Sequence, residues 1–271
     1  MCDVQSMTAN NVASVSGDIA IVTLRLDNVV FNASGFLRTC ADAALLDLGL
    51  APLEDHEHRN LFLDGDELGF VTVLMDRESG NITRDTCDLL TSTYRDRVDQ
   101  GILEHVFPVE GIVDCLRELD SGNIRIGGFT ELRREHAMAL LAAHNIDSLF
   151  EVVAYHDSGL PGRRPGELAL RGLAAMVPAD NRTAVVSDHQ HNLQAAVLSG
   201  SRSIAARWGM TQPLVIDIMA AMNVDSVRSP AHLPPKLAPS RTHTHAPQSD
   251  TPRLVLFRLE AIYQEEDASL D

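Results

Sequence analysis

Short apolar, β-branched runs alternate with stretches of helical spacing through the second half of this chain, and one such run stands well ahead of the others. Residues 18–31 read DIAIVTLRLDNVVF, and their first half, Ile19 to Leu24, has the continuous apolar character of a strand buried on both faces. The run then breaks into Arg25, Leu26, Asp27 and Asn28, where a strand would leave its sheet. Residues 35–50 place apolar groups at Phe36, Leu37, Cys40, Ala44, Leu45 and Leu48, which predicts a helix ended by Gly49. Residues 52–101 continue mostly helical, with breaks at 64–69 and 79–81 and a clear amphipathic helix over 84–98. Pro108 then precedes a helix running through Leu119. Strands are predicted at 124–129 (IRIGGF), 150–155, 183–187 (TAVVS) and 203–206, the last of the series. Helices at 131–144, 166–176 and 192–198 separate them.

Strand–helix alternation of this kind predicts an α/β fold with a doubly wound, mainly parallel, Rossmann-like sheet. The helical block after the first strand reads as an inserted α-helical cap. The expected division is a flexible tail over 1–17, an α/β core from 18–31 and 102–233, and a cap over 32–101. A Pro/Ser/Thr/His-rich linker follows over 234–252, then a strand-like segment over 253–271. With 271 residues and 45% apolar composition, the chain can bury a sizeable core. Its formal charge of −16 argues against a nucleic-acid partner. Four cysteines without C-x-x-C spacing read as buried free thiols of a reducing compartment. No signal-peptide core and no bilayer-spanning run is evident, so no membrane partner and a cytoplasmic location are expected.

Several stretches resemble the haloacid dehalogenase-like hydrolases, in particular the phosphoglycolate phosphatase and β-phosphoglucomutase branch. They are IVTLRLDNVVFNAS, AALLDLGLAPL, FPVEGIVDCLRELDSGNIRIGGFTE, LPGRRPGELAL and VVSDHQHNLQAAVLSGSRSIAARWG, in order over about 19–233. In that family the first Asp of a D-x-D pair is nucleophile and magnesium ligand, and the second is the general acid/base. The resemblance implies that Asp27 stands at the second Asp, Thr130 at the phosphate-binding hydroxyl, Arg164 at the family's lysine and Asp188 at a metal-binding carboxylate. The nucleophile's position holds Arg25. A further acidic position falls on Asn192, and Glu131 follows Thr130 where Asn is common.

Attack on phosphorus needs a carboxylate that becomes an acyl-phosphate and a cation to neutralise the phosphoryl oxygens. A guanidinium is always protonated and offers only donors, so it can neither attack nor ligate metal. Losing a covalent nucleophile costs on the order of 10⁴-fold or more in kcat. No catalytic residue, bound metal or cofactor is therefore expected; magnesium would matter only if residual hydrolysis survived. Three roles for Arg25 stay open. It can replace a metal's charge by pairing with Asp27 and Asp188. It can join Thr130 and Arg164 in a cradle for a small phosphorylated ligand. Or Asp27 can act as a base on an unrelated substrate.

Other features point to less. His189 and His191 have a spacing that zinc tolerates, but a solvated loop is the simpler reading. Thr242–His245 (THTH) reads as linker, and Gly127–Gly128 as a place where a strand approaches a neighbour closely. Trp208 is assigned to packing. Near the end, LVLFRLEAIY aligns with IVTLRLDNVV without gaps, setting Arg258 on Arg25 and Glu260 on Asp27. This segment resembles the start of a second copy. Strand addition through Leu254 to Leu259 to a sheet edge would give self-association. The expected function is thus a catalytically inactive hydrolase-fold protein with a structural or self-assembling role. The alternatives are a non-hydrolysing sensor of a phosphorylated metabolite and a residual magnesium-dependent phosphatase of the phosphoglycolate type.

Overall fold

The computed structural model describes residues 19–55, 57, 83–155, 182–209 and 224–237. Within them the first apolar run is β1 (Ile21–Arg25), buried at every position. Helix α1 (Ser34–Asp47) and helix α2 (Arg84–His105) follow. Then come α3 (Ile112–Ser121), β2 (Arg125–Phe129), α4 (Arg134–Ala143) and β3 (Val152–Ala154). The last part holds β4 (Thr183–Ser187), α5 (Gln190–Leu198), β5 (Arg202–Ala206), β6 (Asp225–Val227) and α6 (Leu233–Leu237).

The six strands form one sheet in the order β3-β2-β1-β4-β5-β6, and every pairing is parallel. Strand order reverses between β1 and β4, and the crevice beyond the carboxyl ends of such strands is where open α/β sheets bind ligands. β1 is the central strand: Leu24 faces Gly128 on one side and Val186 on the other. Its apolar continuity follows from that place, because both faces and both edges are covered. Gly128 is needed for contact rather than for flexibility. A Cβ there would sit 3.2 Å from Leu26 and Val153 side-chain atoms and 3.3 Å from Phe150, so strand and neighbours meet closely as expected.

The described part of the cap is the pair α1 and α2. Leu37, Cys40, Ala41, Ala44 and Leu45 of α1 face Leu90, Tyr94, Val98 and Ile102 of α2, and all belong to the main hydrophobic core. Thr83 caps α2 by accepting the Thr86 N–H, and Gly49, at φ +72°, follows the end of α1 as the sequence predicts. Arg97 and Asp47 tie the two helices on the outside.

Four differences from the sequence expectations have local causes. β1 extends one residue further, so that Arg25 pairs with Phe129 as its last strand residue. Helix α2 runs to His105, across the boundary expected between cap and core at 101/102. A sixth strand, Asp225–Val227, lies beyond the one expected to be last; three residues reading DSV carry no periodicity, and their pairing with β5 alone makes them a strand. Residues 234–237, expected in the linker, instead complete α6. Pro234 and Pro235 occupy its first turn, where a missing N–H costs nothing. Leu233 and Leu237 are buried, and Lys236 Nζ lies 2.7 Å from Asp225, which also receives Arg202. The helix expected over 166–176, the loop around Arg164, residues 242–245 and the segment 254–259 lie outside the described residues.

Cys40, Cys87 and Cys115 are buried free thiols. Burial pushes the Cys115 thiol up to about 12, with the Glu118 charge adding to it, and the Cys40 thiol up to about 11 against the pull of Arg97. Little thiolate exists at neutral pH, and the thiolate is the reactive form. Alkylation of the native protein by iodoacetamide at pH 7.5, followed by peptide mass spectrometry, is expected to leave Cys40 and Cys115 unmodified until denaturant is added. Among the described residues no helix is long and apolar enough to cross a membrane.

Candidate functional site

Three strand ends converge at the crevice. β1 delivers Arg25 and, two residues later, Asp27; β2 is followed by Thr130 and Glu131; β4 is followed by Asp188. The guanidinium of Arg25 lies between two carboxylates, with Nε 3.4 Å from Asp27 Oδ2 and Nη1 3.2 Å from Asp188 Oδ1. All three side chains are almost fully covered, at 5–7% exposure.

Each carboxylate also has neutral donors. The Thr130 hydroxyl donates to Asp27 at 3.0–3.1 Å, and the Glu131 N–H donates to Asp27 Oδ2 at 3.1 Å. A hydroxyl has one proton, and that of Thr130 is spent on Asp27; its oxygen accepts the Leu132 N–H at 3.0 Å. Asn28 Nδ2 donates to Asp188 Oδ2 at 3.1 Å, while Asn28 Oδ1 accepts the Ser34 N–H at the start of α1. Asn28 does this from a left-handed backbone, φ +61°, which Asn tolerates better than most residues. One amide side chain thereby joins the cap's first helix to the core's β4 loop.

The electrostatics are those of a closed cluster. Burial opposes the charge on Arg25, but Asp188, then Asp27 and Glu131, more than reverse this and hold its proton more tightly than usual. Burial pushes the Asp27 carboxyl above its ordinary range; Arg25 pulls it back, and the Glu131 charge pushes it up again. His189 is driven down to about 3, first by burial, then by the Arg25 charge and by His191. It is a neutral imidazole at physiological pH and adds no positive charge to the site.

The structure therefore brings Arg25, Asp27, Thr130 and Asp188 together, while Arg164 lies outside the described residues. The loop after β4 is less solvated than expected, because the Asp188 side chain is almost fully covered and His189 is half-buried, with the two histidine rings 5.4 Å apart. Among the described residues, no group of three or more His, Cys, Asp or Glu side chains is placed to hold a metal ion. Asn192 is buried and donates to Ser187 Oγ at 3.2 Å, a local tie at the start of α5.

Asn28 and Gly209 carried no sequence signal strong enough to assign them a role in the site, and Trp208, assigned to packing, does pack against the core. Trp208 Nε1 donates to the Val29 carbonyl at 3.1 Å, which clamps the loop after β1. A Cβ on Gly209 would fall 2.7 Å from the Asn28 carbonyl oxygen and 2.9 Å from Asp188 Cβ, so only glycine lets the chain pass here. Beside them a cleft of about 320 Å³ is lined by Asn28, Asn32, His105, Glu110, Trp208 and neighbouring residues. Among the described residues no Lys or Arg lines it and Glu110 does, which is poor complementarity for a phosphate.

A family model described as haloacid dehalogenase-like hydrolase matches residues 25–206, opening at Arg25 itself. The chain belongs to this family. No curated protein matches it. Among solved structures it is similar to a predicted phosphoglycolate phosphatase from Haemophilus somnus, with TM-score 0.66 and 16% identity over 79% of this chain and 96% of that one. A hydrolase from Pseudomonas syringae gives TM-score 0.66 and 15% identity, covering 81% and 99%. A candidate β-phosphoglucomutase from Thermotoga maritima gives TM-score 0.60 and 14% identity, covering 80% and 97%. At such identities the likeness is one of fold.

Phosphatases of this haloacid dehalogenase-like family ordinarily use magnesium. The residues present here do not fit it. Arg25, in contact with both Asp27 and Asp188, occupies the space between them and repels a second cation.

Proposed function

We propose that this chain is a haloacid dehalogenase-like protein that has lost hydrolysis, with Arg25 at the nucleophile's position, and that it serves as a structural or self-assembling component. The observation that carries the reading is the double ion pair of Arg25. A guanidinium cannot attack phosphorus, and one already neutralised by two carboxylates has little to offer an incoming anion. Thr130 has spent its proton, and Glu131 adds negative charge nearby, which counts against the phosphorylated-ligand reading as well.

Assembly is supported by the sequence alone: LVLFRLEAIY repeats the β1 pattern with Arg258 at the place of Arg25. An apolar strand of this kind is suited to pairing with a sheet edge of a second copy. Turnover, assembly and ligand binding each test the proposal. Turnover of p-nitrophenyl phosphate with magnesium is expected to be indistinguishable from the uncatalysed rate; turnover that vanishes in Asp27→Ala would restore a hydrolase. Arg25→Asp reports separately whether the remaining machinery is intact. Light scattering is expected to show a larger species for the full chain than for a truncation ending at Leu237, which keeps α6. A thermal-shift screen with sugar phosphates and phosphoglycolate is expected to be flat.

A further inference from the structure

We infer that the Arg25 guanidinium is a built-in replacement for a divalent cation: it neutralises Asp27 and Asp188, makes the fold independent of metal, and hides a cation site that appears when the side chain is removed. This rests on the loss of hydrolysis only in sharing the Arg25 geometry, and it concerns what the charge does for the fold.

The charge balance comes first. Among the described residues, one positive group meets Asp27 and Asp188 directly, so this buried pair of carboxylates relies on a single guanidinium. Buried carboxylates without a cation are costly. Position is the second part. Neither carboxylate depends on Arg25 for its orientation, because Thr130 and the Glu131 N–H hold Asp27 while Asn28 holds Asp188. Asn28 in turn is fixed by Ser34, and the chain at Gly209 packs against both Asn28 and Asp188. Truncating Arg25 to alanine therefore leaves two prearranged carboxylates facing a vacated volume. One or two carboxylates with the remaining positions filled by water is the ordinary protein contribution to a magnesium site. The arginine supplies one charge where the ion would supply two, but it is covalently attached and never dissociates.

The test uses the full chain and reads melting temperature in MgCl₂ against NaCl of equal ionic strength. Wild type is expected to melt at the same temperature in both. Arg25→Ala is expected to melt lower by about 10 °C, since one partner of a buried ion-pair cluster is gone. Millimolar magnesium is expected to return about 5 °C of that loss. Arg25→Ala combined with Asp188→Asn should show no magnesium response. Arg25→Lys, which keeps a positive charge in place, should fold and ignore magnesium, and it serves if the alanine variant does not fold. Manganese provides a second reading: relaxation enhancement of water protons is expected with Arg25→Ala and absent with wild type. Magnesium stabilisation of wild type that Asp188→Asn removes would overturn the inference, as would an Arg25→Ala variant indifferent to metal or an Arg25→Lys variant that needs it. A wild type stabilised by magnesium but without phosphatase turnover would sink this inference alone and leave the loss of hydrolysis standing.

Discussion

Asp27→Ala is expected to lower the stability of this protein by about 3 kcal/mol. The carboxylate accepts from Thr130, from the Glu131 N–H and from Arg25, so its removal leaves a buried hydroxyl and a backbone N–H without that partner and Arg25 with Asp188 alone. The lower end of the usual range for a broken buried pair applies, because burial already holds the Asp27 carboxyl above its ordinary pKa and its ionised form is not at ease. The sign is the informative part. Catalytic carboxylates are commonly tolerated at a cost in stability, and removing them often stabilises. A structural carboxylate behaves in the opposite way. Urea denaturation should show a lower midpoint with an unchanged slope, and Asp188→Ala should do the same through Arg25 and Asn28. A more stable Asp27→Ala would mean that the cluster is an active site under strain and not a support.

Arg25 and Asp27 could be placed at a strand end from the apolar pattern of the chain, whereas Thr130 and Asp188 were named by the family resemblance; the structure sets all four at or just beyond the ends of β1, β2 and β4, where such sheets place their chemistry. Their number fixes their neighbourhood. What the neighbourhood does was less legible. Thr130 reads as a hydroxyl for a ligand, whereas its proton goes to Asp27, a partner 103 positions away. Asn28 and Gly209 are visible only in three dimensions, since their roles are defined by Asp188 and by each other. The sixth strand and α6 were missed for a different reason. Asp225–Val227 is too short and polar for any period, and the prolines of Leu233–Leu237 look like a linker until burial of the flanking leucines shows them to be a helix start. In both places tertiary packing decides between states that local sequence leaves balanced.

That packing and the site meet at Phe31. Its ring is fully buried, among the largest such side chains of the molecule, and it sits in the loop between β1 and α1. The backbone there makes isolated bridges to Asp27 on one side and to Pro108, at the chain's return from the cap, on the other. The ring lies 5.9 Å from that of His144 at the end of α4. Phe31 thus holds the two crossings between cap and core against the sheet, and the loop it anchors carries Asp27 and Asn28. Phe31→Ala is expected to cost about 4 kcal/mol through lost burial and the cavity left behind, seen as a melting temperature lower by roughly 10 °C. Phe31→Leu, which refills most of the volume, should recover the greater part of it. Because the same loop carries Asp27 and Asn28, proteolysis is expected to become faster within residues 26–34 of Phe31→Ala than within β4 and β5, which keep their own packing. If cleavage instead rises uniformly along the chain, Phe31 stabilises the fold as a whole and has no particular hold on the residues around Arg25.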